Sequence, residues 1–115
     1  MTAIASPAQT FTTLHIFDFS DGSLPYAGLV QATDGNLYGT TVLGGAGGEG
    51  TIFKIAPSGT LTTLHNFDTT DGRYPYAGLV QASNGNFYGT TYFGGANSEG
   101  AVFKITPTRR AYDVA

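Results

Sequence analysis

The chain has 115 residues, enough for one small domain or for two supersecondary units that share a core. Hydrophobic residues make up 41% and aromatics 13%, yet charged residues only 11%, against roughly 25% in an average soluble domain. The formal net charge is -3, only Arg109 and Arg110 stand together among the bases, and there is no cysteine; this excludes a basic footprint for nucleic acid or anionic membrane, a disulfide framework and a thiolate metal site.

Residues 1–10 are expected to form an N-terminal tail, since they lack the basic start and apolar core of a signal peptide. From residue 11 onward, short apolar or Thr-rich runs alternate with turn residues, the signal of strands. The first four runs fall at 12–17, 26–32, 37–43 and 51–56. Asp34-Gly35 between the second and third tolerates φ > 0 and suits a tight hairpin, and Pro57-Ser58-Gly59 makes another short turn. The two remaining connections are longer, 18–25 and the glycine loop 44–50. The order then repeats, with runs at 62–67, 76–82, 87–93 and 101–106, a tight Asn84-Gly85 turn, and long loops at 68–75 and 94–100. No run approaches the roughly 20 apolar residues that span a bilayer, and 109–115 reads as a C-terminal tail.

Residues 11–60 align with 61–110 without a gap, and about 31 of the 50 positions are identical. Repeat 1 is therefore set at 11–60 and repeat 2 at 61–108. Glycine turns, abundant Thr and few good helix formers favour an all-β fold. Four antiparallel strands in about 50 residues is the size of a β-propeller blade. The prediction is two four-stranded blades per chain. With the run at 26–32 innermost, the chain opens on an outer strand, 12–17, without an upstream blade of its own. It closes on a blade that lacks its outer strand. Head-to-tail strand exchange between copies resolves both ends, and a heterologous contact of this kind closes into a ring or runs on as a fibre. A six-bladed ring from a homotrimer is favoured over an eight-bladed ring from a homotetramer.

The segments G-L-V-Q-A-T-D-G-N-L-Y-G-T-T, G-G-A-G-G-E-G-T-I-F-K-I and S-G-T-L-T-T-L-H-N-F resemble the bacterial GloVer tandem-repeat family over residues 11–108. The resemblance implies a propeller-like array, often exported and surface-anchored, with no established activity. No cofactor is expected.

Candidate functional residues lie on the long loops, where a rigid scaffold presents side chains to a partner. Asp18, Asp21, Asp68 and Asp71 repeat as D-x-x-D-G, with Glu49 and Glu99 on the neighbouring loop. Such carboxylates either ligate a hard cation or shape turns by accepting backbone N–H bonds, and the spacing favours turns. Tyr26, Tyr38, Tyr76 and Tyr88, with Tyr74 and Tyr92 in the second copy only, offer stacking platforms for a saccharide, against the reading that they fill the space between blades; Arg73 and Tyr74 stand out, on a loop where the first copy has Ser23 and Leu24. His15 and His65 read as packing residues. Neither a catalytic triad nor a phosphate loop can be built, and a symmetric array gives little means to split acid and base roles between its carboxylates. A non-enzymatic, ring-forming module is the expected function, with lectin-like binding as the alternative.

Overall fold

The computed structural model describes residues 8–107. The segments 1–7 and 109–115 of the expected tails, Arg109 and Arg110 included, lie outside that range. Among the described residues there is no helix. In chain order the strands are β1 (Val30–Gln31), β2 (Leu37–Thr41), β3 (Thr51–Ile55), β4 (Leu61–Asn66), β5 (Val80–Gln81), β6 (Phe87–Thr91) and β7 (Ala101–Ile105). They form two antiparallel meanders, a four-stranded sheet in the order β1-β2-β3-β4 and a three-stranded sheet in the order β5-β6-β7. Equivalent strands pair in the same register 50 residues apart, Val30 opposite Tyr38 and Val80 opposite Tyr88.

Two expectations require correction. The innermost runs 26–32 and 76–82 shrink to two-residue strands. Pairing resumes further back, at Ser23 opposite Leu43 and Arg73 opposite Phe93. Seven steps along this segment, from 23 to 30, thus face five along β2 and the two residues beyond its end, from 38 to 43. The surplus bows residues 26–29 out of the ladder, as a bulge does. The second correction concerns 12–17, which forms no strand, although its counterpart 62–67 lies in β4 up to Asn66. Both carry Thr-Thr-Leu-His. The difference is the neighbour: β4 lies on the edge of β3, whereas 12–17 finds no ladder partner among the described residues. Strand conformation without a ladder leaves backbone groups unpaired.

The two sheets pack face to face through one core. Ala32, Tyr38 and Ile52 from the first meet Leu79 and Phe87 from the second, with Phe67 entering from the connection between them. The rings of Tyr38 and Phe87 stack at 4.0 Å, and Phe67 meets Phe103 edge-on at 5.4 Å. Gly39 permits the packing within the first sheet, because a Cβ there would lie 2.7 Å from both the Phe53 ring and Leu29.

Each sheet has a second face, and these differ in exposure from their equivalents inside the joint. Ile52 is 1% exposed in the joint, while its counterpart Val102 is 80% exposed. Leu79 is 8% exposed, while Leu29 is 53% exposed. At these positions residues of the same class are buried or bare according to whether a sheet lies against them, whereas Phe53 and Ile55, on the other face of the first sheet, stay 4% and 6% exposed, Phe53 against the Phe17 ring.

Phe87→Ala removes the ring that stacks on Tyr38 and is expected to lower the unfolding free energy by about 3–5 kcal/mol. The check is the urea midpoint at unchanged m. A loss under about 1 kcal/mol would show that the two sheets do not share this core.

Candidate functional site

The tight turns lie at one end of the sheets and the long loops at the other. At the tight end, Ala32 and Gly35 close a turn in which Asp34 Oδ1 accepts the Asn36 amide. The Tyr38 hydroxyl donates to Asp34 Oδ2 at 2.6 Å. Burial pushes the Asp34 carboxyl up, but the Tyr38 and Asn36 hydrogen bonds and the Lys54 charge outweigh it, leaving the group below its ordinary value. Burial, and then the Asp34 bond, push the Tyr38 phenol well above its usual range.

At the long-loop end the four aspartates form two identical closures. In the first, Asp21 Oδ1 accepts the Asp18 amide at 3.1 Å, and Asp18 Oδ1 accepts the Asp21 amide at 3.3 Å and the Ser20 hydroxyl at 2.6 Å. His15 Nε2 bonds Asp21 Oδ2 at 2.7 Å. The second copy repeats this with Asp68, Asp71, Thr70 and His65. Two backbone amides and a hydroxyl thus occupy oxygens that a cation would need. Among the described residues no group of three or more His, Asp or Glu is placed to hold a metal ion. The loop backbone is strained at matched positions, φ +76° at Phe19 and +78° at Thr69, then +57° at Leu24 and +60° at Tyr74. Side chains at such angles persist only where the surroundings over-determine them.

The remaining candidates fall into two groups. Glu49 and Arg73 meet across the joint, with Arg73 Nη1 3.8 Å from Glu49 Oε2. The guanidinium lies 4.9 Å from the Tyr74 ring centre and 5.6 Å from that of Phe93. Around this pair the connection between the sheets is laced to the glycine loop of the first. The Tyr74 amide donates to the Glu49 carbonyl at 3.1 Å, the Phe67 amide to the Gly50 carbonyl, and the Thr40 hydroxyl to the Pro75 carbonyl. Gly50, at φ +111°, is required here, since a Cβ would come within 2.6 Å of the Thr41 carbonyl oxygen and 2.8 Å of Pro75 Cδ.

Tyr76 and Glu99 line a different space. With Ala77, Thr90, Thr91 and Tyr92 they bound an open cleft of about 510 Å³ on the bare side of the second sheet. Tyr26 reaches them only through Tyr76, edge-on at 5.5 Å, and Tyr76 meets Tyr92 at 5.3 Å. Glu99 occupies the position of Glu49, but Ser23 stands where Arg73 stands in the second copy.

Asp18, Asp21, Asp68 and Asp71 therefore shape turns, while Arg73, Tyr74 and Glu49 belong to the joint. Phe93, which cradles Arg73, and Thr40 with Pro75 went unrecognised in the sequence. A signal was present: Arg73/Ser23, Tyr74/Leu24, Tyr92/Val42 and Phe93/Leu43 are among the positions that differ between the copies, and all four cluster at this end.

A family model described as the Gloeobacter/Verrucomicrobia repeat matches residues 2–115. No curated protein and no solved structure matches the chain.

The Ser20 and Thr70 hydroxyls, with the amide bonds, hold the Asp18 and Asp68 carboxyls below their ordinary value. A depressed carboxylate contributes stability at neutral pH that is lost as pH falls through its folded value. The urea midpoint is expected to drop between about pH 5 and pH 2. A Ser20→Ala/Thr70→Ala double variant should start lower at pH 7 and lose less on acidification; parallel curves would show that these bonds do not set the acid response.

Proposed function

The chain belongs to the Gloeobacter/Verrucomicrobia repeat family, and we propose that it is a non-enzymatic β-propeller module whose copies join head to tail into a closed ring. One observation carries this reading. The two bare faces, one at each end of the chain, are the counterparts of the two faces that meet inside it. Val80, Val102 and Thr90 on the second sheet correspond to Val30, Ile52 and Thr40, which face the joint. On the first, Leu29, which is 53% exposed, and Phe17, half-buried against the Phe53 ring, correspond to Leu79 and Phe67, which cover that joint. A second copy placed as repeat 2 sits on repeat 1 would bring the bare surfaces together and cover both.

The strand count supports the same arrangement. Among the described residues β7 is an open edge, whereas its counterpart β3 carries β4. The segment 12–17 has the sequence signature of β4 and no ladder. Given to the β7 edge of a neighbour, it would complete a four-stranded sheet and remove an edge that would otherwise template aggregation. Three chains give six blades and four give eight, and the trimer is favoured. The non-enzymatic reading is supported by the engagement of all four loop aspartates in turn closure.

Saccharide binding is the second reading, supported by Tyr26, which is 75% exposed at the long-loop end and touches Tyr76. Under the ring reading, however, the cleft at Tyr76 and Glu99 is the seat of the next copy's loop, so a sugar would have to use the Tyr26 rim. Saturable binding at millimolar sugar, weakened by Tyr26→Ala in the assembled protein, is the result that reading requires; no binding removes it.

Light scattering is expected to give three or four times the 12.0 kDa chain mass, whereas a 12.0 kDa species would reject the ring. Val102→Asp should leave the single chain folded by circular dichroism, because that side chain is bare there, yet abolish the larger mass. Removal of residues 1–18 should do the same if strand exchange completes the ring.

A further inference from the structure

We infer that the joint between chains, unlike the joint within a chain, holds a binding site for a small guanidinium compound, with Glu99 as its counter-ion. The inference rests on the head-to-tail assembly proposed above and adds a ligand to it.

The joint within the chain is the template. There a guanidinium is already bound, supplied by Arg73, opposite the Glu49 carboxylate and over the rings of Tyr74 and Phe93. Among the described residues Glu49 Oε2 and Arg73 Nε are enclosed atoms without a hydrogen-bond partner, on side chains that keep 25% and 36% of their surface exposed, so what holds them is charge across 3.8 Å together with aromatic contact. A carboxylate with one oxygen shielded from water and no hydrogen bond to it is disfavoured without a cation beside it.

Between chains, the same construction places Glu99 of one copy against the loop 18–25 of the next. By repeat equivalence, Leu24 would donate its amide to the Glu99 carbonyl as Tyr74 does to that of Glu49. Position 23 is Ser, so the acid is kept and its base is lost. Leu24 and Leu43 also replace Tyr74 and Phe93, which removes both rings of the Arg73 cradle. An aromatic surface returns from the opposite side, because Tyr92 stands where the first copy has Val42 and lines the same cleft as Glu99. Val42 is 3% exposed inside the chain, while Tyr92 is 59% exposed and awaits a cover. The chain-to-chain joint thus has the carboxylate, an aromatic face, and a short Ser where an Arg side chain would otherwise fill the space. A planar cation with several N–H donors matches that set, as a carboxylate and a ring together select guanidinium over a hydrated sodium ion.

The test is calorimetric titration of methylguanidinium chloride into the assembled protein at fixed ionic strength, with light scattering on the same samples. Saturable binding of one equivalent per chain is expected, weakened at least about tenfold by Glu99→Gln. Ser23→Arg should retain the oligomer and lose the binding, since its own side chain then fills the site. An assembled protein without saturable binding, or binding that Glu99→Gln and Ser23→Arg leave unchanged, overturns the site and leaves the assembly standing. A 12.0 kDa mass overturns the assembly and the site with it.

Discussion

A short sheet that is apolar on both faces cannot be satisfied by covering one of them. The packing of the two sheets against each other answers that constraint on one face of each. The first sheet turns Tyr38, Thr40 and Ile52 toward the second and buries them nearly completely. The second answers with Leu79 and Phe87, and it turns Val80 and Val102 outward. Burial of a Val or Leu side chain contributes about 1.5–3 kcal/mol, so bare residues of this kind at both ends represent a large unrealised stabilisation. The repeat makes the shortfall specific: what is bare at one end is the surface that, 50 residues away, is covered by what is bare at the other.

The connection between sheets is where local chemistry serves that packing. It must leave the first sheet at its β4 edge and reach the β5 edge of the second. Asp68 and Asp71 close its first turn, and His65 of β4 anchors Asp71. Beyond the turn, Tyr74 takes φ +60° so that its amide meets the Glu49 carbonyl and its own carbonyl accepts the Tyr92 amide. Pro75 then lies over Gly50 and Thr40. Residues that read as a ligand site are the means by which one sheet is strapped to the next. The side chains free of that task, Tyr26 and the Tyr76–Tyr92–Glu99 cleft, belong to the uncovered surfaces.

Much of this was legible in the residues. The gapless repeat, the tight Asp34-Gly35 and Asn84-Gly85 turns and the alternation of short runs located β2, β3, β6 and β7 to within one or two residues. The structural use of the aspartates was legible too, because Asp and Ser or Thr at this spacing bond nearby amides whatever the fold. The inner strands were not. Their runs look continuous, and the two surplus residues that bow Tyr26 out are visible only once Ser23 is seen opposite Leu43 and Val30 opposite Tyr38. The Arg73 cradle was half legible: position 73 stood out as different between copies, but its partner Glu49 lies on another loop of another repeat.

The sequence by itself determined the all-β class, the two-copy organisation and the local turn chemistry, since each depends on periodicity or on hydrogen bonds within a few residues. Tertiary structure alone decided which of two equivalent residues is covered. Thr-Thr-Leu-His is a strand beside β3 and no strand at 12–15, and Ile52 is buried where Val102 is bare. Local propensity is nearly the same in both members of each pair, so the outcome rests on whether a neighbouring sheet is present to supply the ladder and the cover.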